Sequence, residues 1–323
     1  MTGASGLIGS HLVDRLVEQG CRVHALVRET SNLRWLPDSP RVRLHKGDIT
    51  RSPGLEDCLG EVDYIFHCAG LTIARSRREF FRVNAESCKP FYENCLAKAK
   101  RVKAIVHLSS LAAVGPGGAG SPVDESAPCH PITHYGQSKL AGEEIARHFS
   151  DSLPVVILRP PVVYGPREEN FFTYLKMLAA KWNIRIGHGR RELSLIYVHD
   201  LVSAMADSAL SFREGDNTFF VTDGNVYSWE EVARTAMSLL QVRARTITIP
   251  EGILMPAALL CEALSRFGSK PALFDRQRML DIRQSSWTAS SGKFFKAHSF
   301  RPAYGLERGL AETLAWYKER RWL

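Results

Sequence analysis

At 323 residues, 45% hydrophobic and 24% charged, the chain is long enough to bury a large core and sits near the upper size of one domain. The formal charge is +8, yet Lys and Arg are spread along the chain rather than gathered in a stripe. That distribution argues against a nucleic-acid partner and suits an anionic small molecule or a solvated basic surface equally well. The seven cysteines, Cys21, Cys58, Cys68, Cys88, Cys95, Cys129 and Cys261, show no C-x-x-C pair and no histidines at metal spacing. They read as reduced thiols, and no metal is expected. No signal peptide opens the chain, so a cytoplasmic location without stable membrane insertion is expected. The longest apolar run, 252–261 continuing through Ala263 and Leu264, is about half a bilayer span. It reads either as a helix over a cleft or as a membrane-touching face.

In chain order, short β-branched runs alternate with helical periodicity over the first 160 or so residues. Strands are predicted at 22–27, 41–46, 64–68, 104–108 and 155–158, with helices at 8–18, 79–98 and 135–147 between them. Alternation of this kind specifies right-handed βαβ units and a doubly wound parallel sheet, an α/β fold of Rossmann type. From Pro166 onward the segments become mixed, richer in Pro and Trp, with longer connections. One feature is out of place: a glycine-rich turn begins at Thr2, whereas such a turn follows a buried central strand. The first strand is therefore expected to be missing, its neighbours left as aggregation-prone edges and the fold weakened.

Gly3, Gly6 and Gly9 stand in T-G-x-x-G-x-x-G, with Ser5, Leu7 and Ile8 among them, directly before an amphipathic segment. Glycine lets the backbone turn sharply and a pyrophosphate approach, while the helix N-terminus offers unpaired N–H groups. Alone, the triplet could equally be a helix-capping loop. Arg28 ends the strand predicted at 22–27, the second once the missing one is counted, where a site for NAD would place an acidic residue on the ribose. A guanidinium there suits a 2′-phosphate, so NADP(H) is the expected cofactor. The competing reading makes Arg28 a solvated strand end, with Glu29 on the ribose and NAD(H) bound. Asp48 and Ile49 after the strand at 41–46, and Cys68, Ala69 and Gly70 at the end of the one at 64–68, fit the adenine and the dinucleotide backbone. Residues 1–165 are assigned to the dinucleotide-binding domain. Residues 166–323 are mostly a smaller substrate-binding region, with some segments returning to the first.

Tyr135 and Lys139 form Y-x-x-x-K, and i, i+4 side chains share one face of a helix. A cation near a phenol favours the phenolate, so the pair can pass a proton to or from a carbinol oxygen while hydride moves to or from nicotinamide. Ser109 and Ser110 end the strand at 104–108, at the sheet edge where ligands bind. The Ser110 hydroxyl can meet the same substrate oxygen, or cap a turn.

With T-G-A-S-G-L-I-G, H-C-A-G, L-S-S-L-A-A-V-G, Y-G-Q-S-K and L-R-P-P-V-V-Y-G-P in order, the chain resembles the extended short-chain dehydrogenase/reductases. I-Y-V-H-D at 196–200 and the helix around Trp316 extend the resemblance over nearly the whole length. It implies that Ser110 orients a carbonyl, Tyr135 is the acid/base, Lys139 holds the nicotinamide ribose and Asn84 completes a proton relay. Pro160, Val162 and Val163 would lie in the loop near nicotinamide, Ser109 would help line the cofactor site, and a homodimer is implied.

Within that family, dehydratases carry a Thr-Asp-Glu-like triplet where this chain has Ser109, Ser110 and Leu111. Epimerases usually show an acidic residue at position 28 and an asparagine where Pro160 and Pro161 stand. Both departures resemble dihydroflavonol reductases and 3β-hydroxysteroid dehydrogenases, so hydride exchange with a ketone, aldehyde or secondary alcohol on a fairly apolar small substrate is expected. A sugar-nucleotide epimerase is the alternative, with Arg190 and Arg191 as a diphosphate clamp or as plain loop charges. A non-catalytic dinucleotide-binding regulator is a further alternative. Specificity is expected to reside in the variable region from about 171 to 281.

Overall fold

The computed structural model describes residues 1–51, 54, 58–118, 120–265 and 274–323. Its first strands, β1 (Val23–Val27), β2 (Val42–Lys46), β3 (Tyr64–His67), β4 (Ala104–Leu108) and β5 (Val155–Arg159), fall within a residue or so of the predicted ones. They are followed by β6 (Val162–Tyr164), β7 (Trp182–Ile186), β8 (Glu192–Leu193), β9 (Leu195–Tyr197), β10 (Thr218–Phe220), β11 (Tyr227–Ser228), β12 (Arg245–Ile249) and β13 (Ser286–Trp287). The helices are α1 (Leu7–Glu18), α2 (Arg77–Phe81), α3 (Cys88–Lys98), α4 (His134–His148), α5 (Glu169–Ala179) and α6 (Val198–Leu210). Beyond them lie α7 (Trp229–Leu240), α8 (Leu254–Ser265), α9 (Arg276–Arg283), α10 (Gly292–Ala297) and α11 (Leu306–Glu319).

The main sheet runs β10-β5-β4-β3, all parallel, with β1 and β2 paired in parallel beside it. Both faces are covered, which explains why β4 and β5 are buried at every residue and read as unbroken apolar runs rather than alternating ones. Ile65, Ile105 and Ile157 pack under α3 with Phe91, Tyr92 and Cys95. One residue on, Phe66, Val106 and Leu158 turn to the other face and meet Leu12 of α1 and Leu201 and Met205 of α6. β10 and α6 come from beyond residue 166, so the later half of the chain completes the main sheet and one of its covers.

Met1 and Thr2 join the two parts of the sheet. Thr2 bridges His67 in parallel, its N–H donating to the Phe66 carbonyl at 2.9 Å, and its own carbonyl accepts from Cys68 N at 3.2 Å. On the other side the Met1 carbonyl accepts from Leu26 N at 2.9 Å. The ribbon order is thus β2, β1, Met1–Thr2, β3, β4, β5, β10, and its direction of winding reverses at the glycine turn. The expected missing strand is represented there by two residues that bond both neighbours. Below them a cavity of about 20 Å³, lined by His24, Cys58, Leu59, Tyr64 and Ile65 among others, separates β1 from β3.

The helix predicted over 79–98 is instead α2, a π-helical turn over Arg82–Glu86, and α3. A π-turn accommodates one extra residue and commonly marks a functional position; here it carries Asn84. α4 crosses so closely that a Cβ on Gly142 would lie 2.2 Å from the Asn84 carbonyl oxygen.

Candidate active site

The glycine turn sits at the winding reversal, where open α/β sheets bind ligands. Gly3 has φ +69°, and a Cβ there would fall 2.6 Å from the Ala69 nitrogen; a Cβ on Gly9 would fall 2.1 Å from the Gly3 carbonyl oxygen. Both glycines are therefore dictated by packing among the turn, α1 and the H-C-A-G segment. Gly6 differs: it is exposed, and a Cβ would meet nothing nearer than 3.4 Å. It is the N-cap of α1, with no side-chain cap and no acidic residue in the first turn. Helices α2, α4, α5, α7 and α9 carry a side-chain cap, whereas α3, α6, α10 and α11, like α1, do not; only α1 begins at the glycine turn. α1 thus leaves its positive end and N–H groups to a ligand, and the residues present fit a dinucleotide pyrophosphate. Behind the turn, Arg167 donates to Ser10 Oγ at 3.0 Å and Asp14 Oδ2 at 2.7 Å, tying α1 to the loop after β6.

Ser5, Leu7 and Ile8 line the turn half-buried, Ile8 packing into the core beneath. Arg28 is exposed at the end of β1, and its positive charge helps hold the Asp48 carboxyl below its ordinary range, against the effect of burial. Asp48 Oδ1 also accepts from Thr50 N and Oγ1, at 2.9 and 2.8 Å. Glu29, the competing ribose ligand, pairs with Lys46 at 3.2 Å. Ile49 is buried in the core under α3. Cys68 and Ala69 are half-buried beside Thr2 and Gly70 is exposed. Burial pushes the Cys68 thiol up to about 12, so it is a neutral lining group. Pro160 is buried, its carbonyl accepting from Leu111 N at 2.8 Å; Val163 is half-buried and Val162 exposed.

The chemical residues come from three elements: α4, the end of β4 and the π-turn. Tyr135 and Lys139 lie on the first turns of α4, whose N-cap Thr133 accepts from Gly136 N at 3.1 Å. Ser110 follows β4; its hydroxyl accepts from Ala112 N at 3.1 Å, and its side chain pulls the Tyr135 phenol down against burial. The turn cap, one of the two readings of Ser110, is present, and it leaves the side chain near the phenol. Asn84 is buried; its Oδ1 accepts from Leu71 N at 2.7 Å, and its Nδ2 donates to Leu71 O at 3.0 Å and Ser138 Oγ at 2.9 Å. It clamps the loop after β3 to α4.

Two details differ from the sequence expectation. The Lys139 ammonium donates to the Leu108 carbonyl at 2.6 Å, and burial lowers its pKa, with Cys88 and Glu143 opposing. Tyr135 is pushed above its ordinary value by burial; Ser110 pulls it down and Asp281 raises it, and Lys139 does not enter. The phenol is therefore held protonated rather than poised as phenolate. The Ser109 hydroxyl, in turn, donates to Glu143 inside the core. Glu143 is also bound by Arg159, at 2.7 Å, and Arg147, at 2.6 Å, so α4 is fastened to the ends of β4 and β5 by a buried charge cluster.

The fold brings together groups that are distant in sequence. His67, Cys88 and His107 form a fully buried set with ligating atoms within 4.8 Å of one another, and the half-buried His24 and His45 form a second such set with buried Cys58. In the first set Thr2 Oγ1 meets His67 Nδ1 at 3.0 Å and the Tyr92 hydroxyl meets His107 Nδ1 at 3.0 Å. Burial first, then the nearby Lys139 charge, drives His67 down to about 3. A cation beside the set disfavours a metal ion there, so neutral packing is the better account. Sequence reasoning also missed α9. Gln277 Oε1 accepts from His134 N at 2.7 Å, and Asp281, pushed up to about 6 by burial, has a buried Oδ1 without a partner. Their signal was weak, since nothing marks a lone Gln or Asp in a variable segment, and residues 266–273 of that segment lie outside the described residues.

Similarity to known proteins agrees with this geometry. The chain is 28% identical over 327 residues to the ceramide reductase of Caulobacter vibrioides, covering 100% of this chain and 95% of that protein. It is 26% identical to sterol demethylase protein B of Methylococcus capsulatus, covering 99% and 98%. Among solved structures, MoeE5 in complex with UDP-glucuronic acid and NAD superposes with a TM-score of 0.76 at 29% identity, covering 100% of this chain and 98% of that one. Residues 1–220 match the NAD dependent epimerase/dehydratase family, and with the glycine turn, Tyr135 and Lys139 in place the chain belongs to that family, the extended short-chain dehydrogenase/reductases.

Proposed function

We propose that the protein is an NADP(H)-linked reductase acting on a ketone or secondary alcohol of an apolar, lipid-like substrate. Residues 1–165 bind the cofactor and move the proton, and most of the pocket comes from 166–323. The observation that carries this reading is the Tyr135 phenol, set on α4 one turn before Lys139 with Ser110 acting on it, and kept protonated by burial. A protonated phenol donates to a carbonyl oxygen; the bound nicotinamide supplies hydride. Ser110 shares the substrate oxygen, Asn84 holds the loop against α4, and the Lys139 ammonium, with one of its three donors on Leu108, directs the others toward a ribose. Exposed Arg28, with its charge felt at Asp48, supports a 2′-phosphate contact. The names of the two relatives, a ceramide reductase and a sterol demethylase protein, support a lipid-like substrate.

The sugar-nucleotide epimerase reading keeps support from the likeness to MoeE5 with its bound UDP-glucuronic acid. Against it, Arg191 donates to the carbonyls of Ile186, Ile282 and Gln284 and pairs with Glu251 at 2.6 Å, leaving it unable to clamp a diphosphate without breaking these bonds. Arg190 pairs with Glu192 at 3.0 Å. The test is NADPH consumption with long-chain ketones, repeated with Tyr135→Phe and Arg28→Ala. Tyr135→Phe should abolish turnover while retaining NADPH binding, and Arg28→Ala should weaken NADPH about tenfold with little change for NADH. Isomerisation of a UDP-sugar without net redox would replace this reading with the epimerase one.

A further inference from the structure

Strands β7 and β12 and helix α8 carry a surface that the active site does not use. An ordinary surface helix turns its apolar residues inward, but α8 is apolar on both sides. Leu254 and Ala258 face inward on Ile186, Ile249 and Met279, while Met255, Leu259, Leu260 and Leu264 face solvent, the last two 61% and 62% exposed. Ile186 and Ile249 end one face of the parallel β7–β12 pair. The positions two and four residues back on that face, Ile184 with Ile247 and Trp182 with Arg245, are exposed. Successive alternate residues of a strand adjoin, so the exposed part of the sheet face begins where the part covered by α8 ends. The opposite face is turned toward α7, to which Arg185 is joined through Glu230 at 3.3 Å. With Ile253, this unit holds eight of the fifteen large apolar side chains found exposed among the described residues, a concentration that marks an interaction surface rather than scatter.

Charge selects the occupant. The acidic residues on these elements, Glu251 and Glu262, are both neutralised, by Arg191 at 2.6 Å and Arg276 at 2.9 Å. Lys181, Arg243 and Arg245, at the entrances of β7 and β12, are exposed with no ion pair among the described residues. An apolar face edged by unpaired cations is complementary to an anionic lipid surface. No helix of the described residues is long and apolar enough to cross a membrane, so contact would be peripheral.

We infer that α8 and the exposed face of β7–β12 dock the protein on an anionic bilayer. α8 packs with α9, and α9 meets the first residue of the catalytic helix through Gln277 and His134, so docking sets the region of Tyr135 one helix from the lipid. A lipid substrate then reaches the site without crossing bulk water, a consequence that rests on the reductase reading above.

Flotation with vesicles of phosphatidylcholine, with and without phosphatidylglycerol, tests the surface directly. The protein should float with phosphatidylglycerol vesicles, be released by salt, and lose partitioning about tenfold or more in Leu260→Glu/Leu264→Glu. Arg245→Glu should lose the phosphatidylglycerol preference. Unchanged melting by circular dichroism, and unchanged NADPH turnover of a water-soluble ketone, would show that the variants remain folded. Flotation unaffected by these substitutions, or absent from both vesicle types while soluble turnover persists, overturns docking. So does a dimer in sedimentation that Leu260→Glu/Leu264→Glu dissociates without any vesicle binding. Leu260-dependent flotation with no turnover of any ketone would leave docking intact and remove the reductase reading instead.

Discussion

Glu143 lies one turn beyond Lys139 on the catalytic helix, its side chain wholly buried against an Arg159 side chain that is 3% exposed. Glu143→Gln keeps the shape and removes the charge, leaving the Arg159 guanidinium buried without a counter-ion. Breaking a buried pair in this way costs about 3–5 kcal/mol. For a chain of this length that is a fall in Tm of about 4–7 °C. Arg159→Met should cost less, because Arg147 at 2.6 Å and the Ser109 hydroxyl still satisfy the carboxylate. The double variant leaves no orphaned Arg159 charge, so its loss should fall short of the sum of the singles by about 1–3 kcal/mol. Urea unfolding followed by tryptophan fluorescence measures all three, and turnover should fall in parallel with the ordering of α4. Losses that simply add would refute the account, since they would mean that Glu143 and Arg159 do not depend on each other.

Three further outcomes follow from the site. The Tyr135 phenol stands above its ordinary value, so ketone reduction should stay level from about pH 6 to 9, while alcohol oxidation, which needs the phenolate, should climb through that range; kcat/KM profiles in both directions check this, and oxidation already level at neutral pH would contradict it. Asp281 is pushed up to about 6 by burial, so its contribution to stability is complete below the ordinary carboxylate pKa and is lost as pH rises through 6. Asp281→Asn should therefore leave stability unchanged near pH 4, raise it by up to about 2–3 kcal/mol at pH 8, and move the oxidation profile to lower pH; denaturation at the two pH values decides it. Gly142→Ala should destabilise by about 1–3 kcal/mol and lower turnover, because its Cβ would strike the Asn84 carbonyl; melting and kinetics unlike this would mean that α4 can shift without disturbing Asn84.

Much of this molecule is written locally. Period-2 and unbroken apolar runs place β1 to β5, because a doubly covered parallel strand must be apolar throughout. The glycine turn and the Y-x-x-x-K spacing are equally local, since each follows from one turn or one helix face. What adjoins them is not. The sequence indicates a lysine beside the phenol, but the fold gives the Lys139 ammonium to the Leu108 carbonyl; it suggests Ser109 at the cofactor, but the hydroxyl serves Glu143. The π-turn at Asn84, the convergence of His67, Cys88 and His107, and the approach of Asp281 to Tyr135 are likewise invisible along the chain. Each depends on which side chain satisfies a buried polar group across tens or hundreds of residues. Short-range periodicity encodes which face of an element is buried, whereas only the packed structure decides which partner is waiting there.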